Sequence, residues 1–105
     1  MGMCQENAFY RLQVLKEVPG QDRFVTVRNC PDQYNTSDVR MRPYSFTLAE
    51  LCNNDRQARV KFDLSMPNGT DIHSAITTIA DLEAGRTTLD AGNGCTLVLN
   101  EFTIQ

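Results

Sequence analysis

Residues 62–71 read Phe-Asp-Leu-Ser-Met-Pro-Asn-Gly-Thr-Asp, a carboxylate at each end of an Asn-Gly turn. That spacing suggests an oxygen-rich loop for calcium, which takes several carboxylate and carbonyl oxygens. Asp63 ends an alternating apolar run, so it points outward near the rim of a sheet. Asp71 lies across the turn, where both carboxylates could reach one ion, and Asn68 adds an amide oxygen. Ser65, Met66 and Pro67 stand where further carboxylates would be needed. The helix-loop-helix calcium motif does not fit. With Asp63 counted first, Gly69 falls one place late and Ser74 replaces the closing glutamate. On the residues alone the plainer reading is favoured: a strand-connecting loop turning at Asn68-Gly69.

The other reactive types are scattered. His73 is the one histidine and sits beside Ile72, which suits a structural role. Serines and threonines lack an adjacent base, and no nucleophile elbow, phosphate loop or zinc-protease motif occurs. Glu50, Asp55, Asp81, Glu83 and Asp90 read as solvated turn charges. The chain is therefore expected not to be an enzyme. Cys4, Cys30, Cys52 and Cys95 form no Cys-x-x-Cys pair, so a zinc site has little support. Two glycosylation sequons, at Asn35 and Asn68, and an even cysteine count keep a secreted, disulfide-braced domain open. The N-terminus shows no basic segment followed by an apolar one, so the expectation is reduced thiols in the cytoplasm.

These residues need a scaffold, and 105 residues suffice for one domain, 1–105, around one core. A net charge of −3 with dispersed basic residues argues against nucleic-acid binding. No apolar run is long enough to span a bilayer. Period-two alternation is the main signal. Tyr10, Leu12 and Val14 share one face, Val25 and Val27 another, and Tyr44, Phe46 and Leu48 a third. Ala58, Val60, Phe62 and Leu64 alternate most clearly. Val18–Asp22 reads as a turn, 29–38 as a long loop, 72–78 as a strand, and 95–104 as one long strand. LAELCNNDRQ reads as one short helical turn broken at Asn53-Asn54-Asp55, and IADLEAG as another. Short strands with turn signals between them predict an all-β, antiparallel sandwich or barrel.

At Arg42-Pro43-Tyr44, and then at LAELCNNDRQARVKFD, the sequence resembles the second C2 domain of copines. LCNND stands for the family's break, VKFD for its strand end and NGTD for the close of its calcium loop. NAFYRLQVL is similar to the strand leaving the first calcium loop. RNCPDQY is similar to an Asn-Pro-aromatic turn, and CTLVLNEFTI to the last strand. The resemblance spans about residues 7–104 and implies an antiparallel Greek-key β-sandwich.

The resemblance implies calcium held by aspartates on two apical loops. Here Asn7 stands at one such position, and the middle aspartates fall near Ser65 and at Pro67 or Asn68. Asp63 and Asp71 remain. Affinity in such sites follows ligand charge, so calcium binding should be weak or absent, with no other cofactor. The family also implies a basic cluster for anionic lipid. Arg11 matches it, Gln13 does not, and Arg23 and Arg28 could join, with Met66 at the loop tip. Cations near an anionic surface contribute about 1 kcal/mol each, too little for stable anchoring. The match begins after the family's first strand, which implies an unpaired strand edge open to homodimerisation or to a partner strand. The expected function is thus a noncatalytic, calcium-independent binding module. It would be cytoplasmic and associate with a protein or peripherally with an anionic membrane. The alternatives are a calcium-dependent phospholipid-binding C2 domain and the disulfide-braced secreted domain.

Overall fold

In the computed structural model, residues 10–34, 38–40, 44–66, 72–92, 94–99 and 103–105 are described, with side chains outside 31–34 and 38–40. Asn68 and Asp71, the turn end of the proposed calcium loop, lie outside them.

Alternation forms the principal sheet. Strands β1 (Tyr10–Glu17), β2 (Phe24–Tyr34), β5 (Arg59–Ser65) and β6 (His73–Thr78) pair antiparallel in the order β2-β1-β5-β6. Between β2 and β5 the chain leaves this sheet through β3 (Asp38–Arg40), β4 (Ser45–Phe46) and α1 (Leu48–Cys52). After α2 (Ile79–Glu83), β7 (Thr88–Gly92) and β8 (Cys95–Val98) form an antiparallel pair, and β9 is Thr103–Ile104. Gly92, at φ +82°, takes up a register shift there that L side chains rarely tolerate.

The protein is mostly strand, as expected, but two pairings are parallel. β3 pairs with β8 (Asp38↔Thr96) and β4 with β9 (Ser45↔Thr103). Both share one residue offset. β8 is consequently bonded on both sides, by β3 and β7. The large sheet ends at β2 and β6, and Pro31, which has no N–H, lies in β2.

The inner face of the large sheet supplies the fully buried Tyr10, Leu12, Val14, Val60, Phe62 and Leu64. Phe46, Leu51, Ile79, Leu97 and Leu99 close over them from β4, the two helices and the β8 segment. Where β6 approaches β7, the small residues Ala75, Ala91 and Cys95 form a second cluster.

Three sequence expectations change. Residues 29–34 are strand, not loop, because β1 carries the pairing on to Tyr34; register shifts absorb the surplus residues of β2. Val25 and Val27 are both half-buried, and the buried Cys30 pairs with the inward Leu12. Leu48 belongs to α1 and does not extend a strand with Phe46. Thr47 and Glu50 form a reciprocal capping box, with Glu50 N–H donating to Thr47 Oγ1 at 3.1 Å and Thr47 N–H to Glu50 Oε2 at 2.9 Å. Asn53 and Asn54, both at positive φ, then end the helix. The segment read as one strand over 95–104 carries β8 and β9, with 100–102 outside the described residues.

Candidate functional site

Strand register places the charged residues at two ends of the large sheet. Arg11 faces Ser65 at one end, where the chain continues toward the expected calcium loop; Lys16 faces Val60 toward the other. At roughly 3.4 Å per residue these rows lie about 17 Å apart.

At the far end from the loop, Arg59 joins the hairpin of β1 and β2 to β5. Its guanidinium lies 2.7 Å from Glu17 and 2.9 Å from Asp22, and its N–H donates to Glu17 Oε1 at 3.1 Å. Its Cζ sits 5.0 Å from the centre of the Phe24 ring. The Arg59 backbone N–H, then its side chain, hold the Glu17 carboxyl below its ordinary range, against desolvation. The same pairs raise Arg59. Beside this network opens a cleft of about 630 Å³, lined by Glu17, Asp22, Asp55 and Arg59 above the buried Cys52. Burial raises the Cys52 thiol, which donates to Leu48 O at 3.2 Å, so it is a poor nucleophile. Lys16 donates to Asn53 on the cleft wall and Arg23 to Gln21. The cleft lining thus carries three carboxylates against one guanidinium, and that guanidinium is already bonded to two of them.

The loop end carries Asp63. One row runs across all four strands, Asn29, Gln13, Asp63 and Ser74, on the solvent face. Gln13 Nε2 donates to Asn29 Oδ1 at 2.6 Å, and Ser74 Oγ to Asp63 Oδ1 at 2.6 Å. Lys61 Nζ lies 3.7 Å from the same oxygen. The Asp63 side chain is only 16% exposed and is engaged by side chains of its own strand and the next. Among the described residues no group of three or more histidine, cysteine or acidic side chains is placed to hold a metal ion.

The lipid candidates do not come together. Arg11 is exposed at the loop end, while Arg23 is exposed in the turn at the other. Arg28 pairs with Glu50 at 2.7 Å, donates to Ser45 O and covers the Phe46 ring at 4.3 Å, tying β2 to β4 and α1. Met66 is partly buried against the core. Ile72 and Ile76, exposed on the outer side of β6, are apolar surface that the sequence reading did not single out.

His73 is 2% exposed and packs edge-to-face on Tyr10, ring centres 5.7 Å apart. Against the expectation of reduced thiols throughout, Cys95 is disulfide-bonded, whereas Cys30 and Cys52 are in the thiol form. The other half of that bond lies outside the described residues. Sequence spacing carries no information on which sulfurs approach; that depends on the fold. No helix among the described residues is long and apolar enough to cross a membrane. Compared with protein-family models, with curated proteins and with solved structures, the chain matches none.

Proposed function

We propose that the chain is a noncatalytic binding module, a C2-like Greek-key sandwich that engages a protein partner without calcium. The Greek-key reading is supported by the path of the chain, which leaves the large sheet after β2 and returns as β5 beside β1. The observation that carries the calcium-independent reading is Asp63. Its carboxylate already accepts from the Ser74 hydroxyl and faces Lys61, so an ion recruited there would compete with that hydroxyl and sit beside a cation. The separation of Arg11, Arg23 and Arg28 supports a protein partner over an anionic membrane.

Calorimetric calcium titration, with thermal melting in calcium and in chelator, tests this. The expected result is no heat and no shift at millimolar calcium. A ligand at one hundred times its Kd stabilises a fold by about 2.7 kcal/mol, which raises Tm by roughly 10 °C or more in a domain of this size. A shift of that order, lost in Asp63→Asn, would establish instead the calcium-dependent phospholipid-binding alternative.

The disulfide at Cys95 supports a second reading, a secreted, disulfide-braced β domain. Thiol counting under denaturant, on protein prepared without reductant, separates the two. Four reactive thiols would exclude the braced form; two, with Cys30 and Cys52 labelled, would support it.

A further inference from the structure

Eight basic side chains are described, and seven have a partner. Lys16 and Arg23 donate to amide oxygens, and Arg28, Arg56, Arg59, Lys61 and Arg86 meet carboxylates. Among the described basic side chains Arg11 alone has neither an ion pair nor a side-chain hydrogen bond. It is exposed, and it borders a groove of about 220 Å³ with Asn29, Ser65, Leu12 and Met66.

The groove has a structural origin. Arg11 pairs with Gln33, but Leu12 pairs with Cys30, so β2 carries two surplus residues at this point. Such a bulge bends the strand and re-aims its side chains. Gln13 occupies Asn29 Oδ1, which leaves the Asn29 amide N–H groups as donors. Ser65 adds a hydroxyl, and Leu12 with Met66 forms an apolar side. Among the residues whose side chains are described, the carboxylate nearest in register on this face is Asp63, on the strand next to Gln13, and Lys61 and Ser74 already offset it.

We infer that this groove binds the carboxylate of an acidic side chain from a protein partner. A planar guanidinium with flanking neutral donors matches a carboxylate, which it can hold through two parallel hydrogen bonds. The volume is below the roughly 300 Å³ at which small-molecule sites begin, so it suits a side chain and not a whole lipid headgroup. One cation near a carboxylate also favours a monoanion over a phosphate dianion. The inference rests on the binding-module reading and names its contact point.

The test is a nuclear magnetic resonance titration of the labelled chain with acetyl-hexaglutamate amide. Inorganic phosphate and phosphatidylserine-containing vesicles are run as separate arms. The expected result is saturable shifts at the Arg11 side-chain N–H, the Asn29 side-chain amide and Ser65. Arg11→Gln should weaken them about tenfold or more, the effect of losing a charge-assisted hydrogen bond. Arg86→Gln removes an equal charge elsewhere and should leave them unchanged. Equal weakening by both variants would reduce the effect to general electrostatics and overturn the site. Phosphate or vesicles binding there as tightly as the peptide would overturn the protein partner. So would an absence of shifts at millimolar peptide. Peptide shifts elsewhere, indifferent to Arg11→Gln, would overturn the groove and leave the module reading standing. A calcium response would remove the calcium-independent reading without touching this result.

Discussion

The two ends of the large sheet carry similar residue types and use them differently. At the hairpin end every described cation is bound: Arg59 to Glu17 and Asp22, Lys16 to Asn53, and Arg23 to Gln21. At the loop end Asp63 is bound but Arg11 is not. Counting charges would rank the hairpin end, with its larger cleft, as the better site. Counting charges that remain available reverses the order. A paired surface charge contributes at most about 1 kcal/mol to stability and little to recognition, whereas an unpaired one keeps its full capacity for a ligand.

Three stability measurements would break or sharpen that contrast. The largest effect is expected at Leu64→Ala, a fully buried position on the strand leading to the loop. Denaturant unfolding should show a loss of about 2–5 kcal/mol, the usual cost of a truncated core leucine. A loss below about 1 kcal/mol would mean that the loop end is poorly packed, and the contrast would then be one of order and not of charge. A smaller effect, about 1 kcal/mol, is expected at Glu50→Ala, which removes the helix cap and the partner of Arg28 together. Thr47→Ala should lose a similar amount, since it removes the same capping box. If Glu50→Ala costs nothing, the paired charges are as idle as an isolated surface cation.

The smallest effect concerns pH. Glu17 is held below its ordinary value near 4.5, so its contribution is present at neutral pH. It fades as pH falls through the glutamate range and the carboxylate is protonated. Glu50 shifts the same way, chiefly through the Thr47 backbone N–H. Melting temperatures of wild type and Glu17→Gln should therefore differ at pH 7 and converge as the pH drops below about 4. A gap that widens on acidification would contradict the Arg59 network as drawn.

Much of the scaffold was legible. Tyr10, Leu12 and Val14 alternate, as do Val60, Phe62 and Leu64, and a two-residue period admits one pleated solution with that face inward. The helical turns read in LAELCNNDRQ and IADLEAG are α1 and α2, the first ending where Asn53 and Asn54 break it. The capping signature Thr47-Leu-Ala-Glu50 was present in the sequence and went unread, and it would have separated Leu48 from the preceding strand. The extension of β2 past Asn29 ran against the local Asn, Pro and Asp composition. It came from β1, a partner whose register no local propensity encodes.

By itself, the sequence determined which residues could carry charge or ligate an ion, and which strands would hide one face. Those properties reside in single side chains and in a two-residue period. Only the tertiary structure decided that Asp63 would spend its carboxylate on Ser74, that Arg28 would lie over Phe46 beside Glu50, and that Arg11 would be left over. The reason is distance. An ion pair forms within a few ångströms across strands that are 11 to 42 residues apart in the chain, and strand order sets that proximity.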